Sequence, residues 1–156
     1  MVKRINMEHK YEYVRGKKQG CFLCLAASGE IDDLVLYRDD LGVIILNKYP
    51  YNTGHLLIAP RRHVSSVEEL EEAEALRLFK AIRASMKAIR EAFNPQGFNI
   101  GINIGRAAGA SQEHLHIHLV PRRYGEYNFM ETIVGSRSVL INPERVQEML
   151  KGRIKL

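Results

Sequence analysis

The chain has 156 residues, 46% of them hydrophobic and 26% charged, with a formal net charge of +5 at pH 7. This is the size of one domain, with enough apolar side chain to bury a core without disulfide staples. No run approaches the 18 or more apolar residues of a membrane-spanning helix and no apolar leader follows Met1-Val2-Lys3-Arg4, so a cytoplasmic protein with an anionic partner is expected.

Residues 1–20 are polar and basic, and Gly16 to Gly20 read as a loop leading into Cys21-Phe22-Leu23-Cys24. Residues 33–38 and 42–47 are aliphatic, β-branched runs joined by Asp39-Asp40-Leu41-Gly42, a hairpin signature. Gly54 to Pro60 predicts a third strand, stopped by its proline, so that three antiparallel strands form a meander. From Ser65 to Phe93 the period changes: Ala75, Phe79, Ile82, Met86, Ile89 and Phe93 predict one apolar stripe on a long helix. Ser66 with Glu69 marks its start as a capping box, and Asn94-Pro95 its end. Residues 97–104 alternate as a fourth strand, and after a loop from Gly105 to Gln112 the segment His114 to Val120 predicts a fifth. Asn142 to Leu150 reads as a short terminal helix with proline in its first turn. The class is α+β: one domain with a mostly antiparallel five-stranded sheet, one long helix and a short C-terminal helix.

The segment His114-Leu115-His116-Ile117-His118-Leu119 alternates imidazole with aliphatic side chains. On a strand this sends Leu115, Ile117 and Leu119 to the core and holds three imidazoles on the other face, successive ones roughly 6.5 Å apart. Three uses compete: a solvated outer face, a metal cluster, or phosphoryl chemistry. For the last, a neutral imidazole nitrogen is a good nucleophile toward phosphorus, and a neighbouring histidine can hold its tautomer. The preceding loop, with Gly101, Gly105, Gly109, Arg106 and Ser111, offers backbone N–H groups, a hydroxyl and a cation for phosphate oxygens.

The CxxC at Cys21 and Cys24 also has three readings. A redox pair normally opens a helix after a strand, and the only long predicted helix comes forty residues later. Two buried structural thiols are a second possibility. The third is a closed tetrahedral zinc site completed by two histidines, for which His63 and His114 are the candidates. Such an ion would clip the N-terminal segment to the sheet.

His114-Leu115-His116-Ile117-His118-Leu119-Val120 resembles the motif of the histidine triad (HIT) family, His-φ-His-φ-His-φ-φ with φ hydrophobic. Asn47 to His55 and the following Leu56 to His63 look like the family's segment upstream of the long helix, and Val120 to Met130 is similar to the extension of the diadenosine tetraphosphate phosphorylase and hydrolase branch. The resemblance implies a small nucleotide substrate attacked at its α-phosphorus through a nucleotidyl-histidine intermediate, by a hydrolase or nucleotidyltransferase acting on dinucleoside polyphosphates or related nucleotides. By position it implies His116 as nucleophile, His118 in the phosphate site and His55 as a supporting histidine, with Asn47 at the ribose and Asn103 and Ser111 near the phosphate. It further implies structural zinc on Cys21, Cys24, His63 and His114, no organic cofactor and no nucleic-acid partner. A homodimer built on the long helix and fourth strand is also implied. The chain departs from the family at Ala110, where many members carry glutamine, which leaves open whether Gln112, two before His114, takes over as donor, and at Arg123 and Glu126, where the phosphorylase-like branch usually has an aromatic residue and aspartate. Expected boundaries are a polar segment over 1–20, the catalytic domain over 21–130 and an extension over 131–156. The rival functions are a nucleotide-sensing or RNA-associated binding protein without turnover, and a hydrolase using the triad as metal ligands.

Overall fold

The computed structural model describes residues 20–126 and 140–156. The expected N-terminal loop up to Gln19 and the end of the extension, residues 127–130, lie outside the described residues. Strands β1 (Val35–Arg38), β2 (Gly42–Leu46), β3 (Leu56–Pro60), β4 (Gly97–Ile102) and β5 (Ile117–Arg122) form one antiparallel sheet in the order β1-β2-β3-β5-β4. Among the described residues, helices α1 (Phe22–Ser28), α2 (Glu72–Phe93) and α3 (Pro143–Leu150) join the sheet in an α+β fold.

The meander forms as the alternation predicts. Asp39 closes the first hairpin by accepting from the amides of Leu41 and Gly42, each at 2.9 Å, and Gly42 has no room for a side chain because a Cβ there would stand 2.8 Å from the Ala59 carbonyl oxygen. Strand β1 starts two residues later than predicted because Leu34 adopts a positive φ of 62° that breaks the extended run.

Each face of the sheet has its own cover. Ile44, Leu46, Leu56, Ile58, Ile117 and Leu119 pack beneath Leu78, Ala81, Ile82, Ala88 and Ile89 of α2 and Val146 and Leu150 of α3. Each leucine, isoleucine or valine among these contributes about 1.5–3 kcal/mol when fully buried. On the opposite face Leu23, Ala26 and Ala27 of α1 cover Val43, Ile45, Leu57 and Ala59. The part of this second face that α1 leaves uncovered, where Asn47, His55 and His118 project, is where the histidines gather.

Two helical expectations are corrected. Ser66 and Glu69 do form a capping box, but it closes a single 3-10 turn, Val67–Glu69; Leu70 is extended (ψ 138°) and dips toward the core, and α2 begins at Glu72 behind a second capping box, Glu71 with Glu74. The predicted stripe is also rotated: Phe79 is 67% exposed, whereas Leu78, Ala81 and Ser85 face the core. Helix α1 was not predicted. Its signal is a Leu/Ala-rich run ending at Gly29, which takes the left-handed C-cap conformation with φ 92°.

Candidate active site and metal centre

The four residues Cys21, Cys24, His63 and His114 converge. Cys21 is the N-cap of α1 and Cys24 follows one turn later on the same side, so both sulfurs face the sheet. His63 arrives on the loop after β3. That loop is tied down by Arg62, whose guanidinium donates to both oxygens of the buried Glu74 at 3.1 and 2.7 Å, the same glutamate that caps α2. His114 is held by Leu115, whose amide donates to the Val64 carbonyl at 2.7 Å, and by its own Nε2, 2.9 Å from the Pro60 carbonyl. A ring nitrogen facing a carbonyl carries the hydrogen, so Nδ1 of His114 presents its lone pair to the cysteines.

The Cys24 sulfur lies 3.2 Å from His63 Nδ1 and 3.4 Å from His114 Nδ1, the Cys21 sulfur lies 3.4 Å from His114 Nδ1, and all four donor atoms fall within 4.8 Å of one another. An ion bound tetrahedrally to sulfur at about 2.3 Å and nitrogen at about 2.0–2.1 Å requires sulfur–nitrogen separations of roughly 3.5 Å, so the cluster has the dimensions and the donor chemistry to hold a metal. Burial, then the neighbouring Cys21, pushes the Cys24 thiol up to about 11, a cost that a bound cation would offset. The CxxC does open a helix, contrary to the sequence reading, but α1 follows no strand among the described residues.

The other two triad histidines stand apart from this cluster. The prediction of three imidazoles in line is corrected: β5 starts only at Ile117, and His114 turns away to the cysteines because its backbone pairs with the His63 loop rather than with a strand. The triad therefore does not converge on one ion.

His116 and His118 remain together, their ring centroids 4.8 Å apart. His116 is 3% exposed and its Nδ1 lies 2.8 Å from the His114 carbonyl oxygen, which fixes the hydrogen on Nδ1 and leaves the Nε2 lone pair as the available one in the neutral ring. His118 pairs across the sheet with Leu57 on one side and Gly101 on the other. Its Nδ1 is 2.9 Å from Nε2 of His55. His55 accepts at Nδ1 from the Tyr51 amide at 3.0 Å, with the Asn47 side-chain amide nitrogen at 3.3 Å. These donors place the His55 hydrogen on Nε2, which donates to His118 Nδ1, so that His118 carries its own hydrogen on Nε2.

Both rings are held neutral. Burial, then the charges of His118 and His116, lowers His55 to about 3; burial, then His116, lowers His118 to about 4. Burial also lowers His114. Gly54, immediately before His55, has φ +84° and sits against Pro121, where a Cβ would approach the ring to 3.1 Å; only glycine accommodates both demands without displacement. Asn52 reinforces this turn, donating from Nδ2 to the Pro121 carbonyl at 2.9 Å.

Asn47, expected at the ribose, is half-buried beside His55, its Oδ1 accepting from the Tyr49 amide at 3.0 Å. Asn103, Ser111 and Gln112 lie on the loop that ends β4 and leads to the triad. In that loop the amides of Ala108, Gly109 and Ala110 are used by its own carbonyls, and Arg106 pairs with Glu113 at 3.6 Å in full exposure. Sequence reasoning missed Tyr51. Its ring centroid is 4.8 Å from that of His55 and 5.8 Å from that of His118, a neighbourhood that no local spacing rule reveals.

A folded sheet bearing one histidine with a free Nε2 lone pair, beside a neutral two-histidine relay, defines a candidate nucleophilic site of the phosphoryl-transfer type. A family profile described as HIT domain matches residues 28–125. AP-4-A phosphorylase of Mycobacterium tuberculosis is 42% identical over 109 residues, 69% of this chain and 56% of that protein. Bis(5'-nucleosyl)-tetraphosphatase [asymmetrical] of Schizosaccharomyces pombe is 33% identical over 94 residues, 60% of this chain and 52% of that protein. The match thus spans little more than half the length of either relative. A Zn-bound histidine triad family protein from Mycobacterium smegmatis superposes with a TM-score of 0.72 at 26% identity, covering 88% of this chain and 95% of that one. The chain belongs to the HIT family.

Proposed function

We propose that the protein is a nucleotidyl hydrolase or transferase that attacks the α-phosphorus of dinucleoside polyphosphates of the diadenosine tetraphosphate type. The observation that carries this reading is the hydrogen bond from His116 Nδ1 to the His114 carbonyl, which aims a lone pair away from the backbone. In the first step Nε2 of His116 forms a bond to phosphorus as the bond to the bridging oxygen breaks, releasing a nucleoside polyphosphate. His118 donates Nε2–H to an oxygen of the reacting phosphate, and His55 holds it in that tautomer. In the second step water or inorganic phosphate attacks the same phosphorus and the nitrogen–phosphorus bond breaks, restoring His116. Asn47 toward the sugar, and Asn103, Ser111 and Gln112 toward the phosphate, complete the proposed pocket.

Zinc is the proposed ion for Cys21, Cys24, His63 and His114, in keeping with a thiolate and imidazole donor set and with the zinc-bound relative. When bound it supplies cross-linking of α1 to the histidine loop. A homodimer is proposed through the exposed apolar side chains Leu76 and Phe79 of α2, Ile100 and Ile102 of β4 and Ile104 just after it.

Product analysis with diadenosine tetraphosphate tests the reading. ADP plus ATP, formed only with inorganic phosphate, indicates phosphorolysis; AMP plus ATP indicates asymmetric hydrolysis. His116→Asn should abolish either while retaining nucleotide binding, and an undiminished rate in that variant rejects the assignment.

A further inference from the structure

Tyr51 touches the relay in two ways. Its backbone amide donates to His55 Nδ1 at 3.0 Å, which orders the loop between β2 and β3 around the histidine. Its ring then lies over the pair, tilted 30° to His55 and nearly parallel, at 24°, to His118. The residue as a whole is 49% exposed, whereas His55 beneath it is fully buried. The aromatic ring is thus one wall between the 2.9 Å His55–His118 hydrogen bond and solvent.

We propose that Tyr51 is a positioning residue: its ring keeps water from the His55–His118 hydrogen bond and so holds the relay in the single tautomer that presents His118 Nε2–H to the substrate. The proposal rests on the nucleotidyl-transfer reading for its kinetic consequence but not for its structural one. A neutral relay needs His55 Nδ1 and His118 Nδ1 unprotonated. Water reaching the pair would solvate the charged imidazolium form, and protonation of either acceptor nitrogen would remove a hydrogen bond that fixes the tautomer. Burial is the largest cause of the low proton affinity of both rings, so cover that excludes water sustains it. The titratable groups facing the pair are His116, from the segment entering β5, and the Tyr51 phenol from the loop before β3; Lys48 is exposed on that same loop.

The test compares the full chain with Tyr51→Ala, Tyr51→Phe and Tyr51→Leu, using nitrogen-15 resonances of the histidine rings and the pH dependence of diadenosine tetraphosphate turnover. In Tyr51→Ala the titrations of His55 and His118, and with them the acid limb of the kcat profile, should move upward by about one pH unit. Tyr51→Phe, which keeps the ring without the hydroxyl, should restore both, and Tyr51→Leu should fall between. Unchanged histidine resonances and an unmoved acid limb in folded Tyr51→Ala overturn the proposal, including the case in which KM alone rises. Should Tyr51→Ala fail to fold, the same comparison between Tyr51→Leu and Tyr51→Phe decides it. The resonance titration needs no turnover, so a protein without enzymatic activity would defeat the proposed function and leave this inference to its own measurement.

Discussion

His55 is a fully buried imidazole whose ring meets two nitrogen donors and the rings of His118 and Tyr51, an environment that favours the neutral form. Its pKa falls from the ordinary 6.5 to about 3 through burial, so the unfolded chain binds a proton between these values and the folded chain does not. Stability from this residue is therefore complete above pH 6.5 and lost as pH falls toward 3. From pH 7 to pH 5 the share of His55 in the stability lost should be about 2 kcal/mol in urea unfolding, and His55→Gln should reduce the slope by that share while His118, also lowered by burial, keeps its own. A slope unchanged by the substitution would place the burial cost elsewhere. At this scale the sequence was informative about identity and poor about direction. The alternation of His114, His116 and His118 named the residues, and the resemblance divided them between metal and nucleophile. Nothing in the alternation itself told that His114 leaves the line, since that follows from a hydrogen bond between Leu115 and Val64, fifty-one positions away in sequence.

At the scale of elements, α1 is a seven-residue helix that carries two thiols to the sheet and buries only Leu23, Ala26 and Ala27. So small an apolar contact would be reinforced by the ion proposed for the Cys21–Cys24–His63–His114 cluster. Stripping metal with a strong chelator should lower the melting temperature by several degrees, and Cys24→Ser should reproduce the drop without chelator. Turnover in the fraction that stays folded should persist, because His116 and His118 lie outside the cluster; its complete loss in folded protein would favour a catalytic ion. The strands were legible because β-branched residues, turns and alternation coincide from Val35 to Pro60. Helix α1 was not, since seven residues hold too little periodicity. The early start predicted for α2 came from a true capping box at Ser66 that serves a single turn, where the Glu69 carbonyl is taken by Arg62 at 2.6 Å.

For the whole molecule, the misplaced Phe79 is informative. It was predicted inside because it fits a helical stripe, yet the stripe that packs on the sheet runs through Leu78, Ala81 and Ile82. Phe79 and Leu76, at 67% and 58% exposure, instead face solvent, and Ile100 and Ile102, also exposed, project on the helix-bearing face of the edge strand. One sequence pattern thus encodes two faces of the helix, one in the core and one that leaves apolar side chains exposed. On the proposed homodimer, Phe79→Glu should convert the sedimenting species to a monomer at micromolar concentration, while wild-type protein that already sediments as a monomer would remove the proposal. No helix among the described residues is long and apolar enough to cross a membrane.

The stereochemical course at phosphorus tests the central claim most directly. With a substrate made chiral at its α-phosphorus by sulfur and oxygen isotopes, attack by His116 followed by attack of water or phosphate gives two in-line displacements and net retention. Net inversion, the mark of a single direct displacement, would contradict the account.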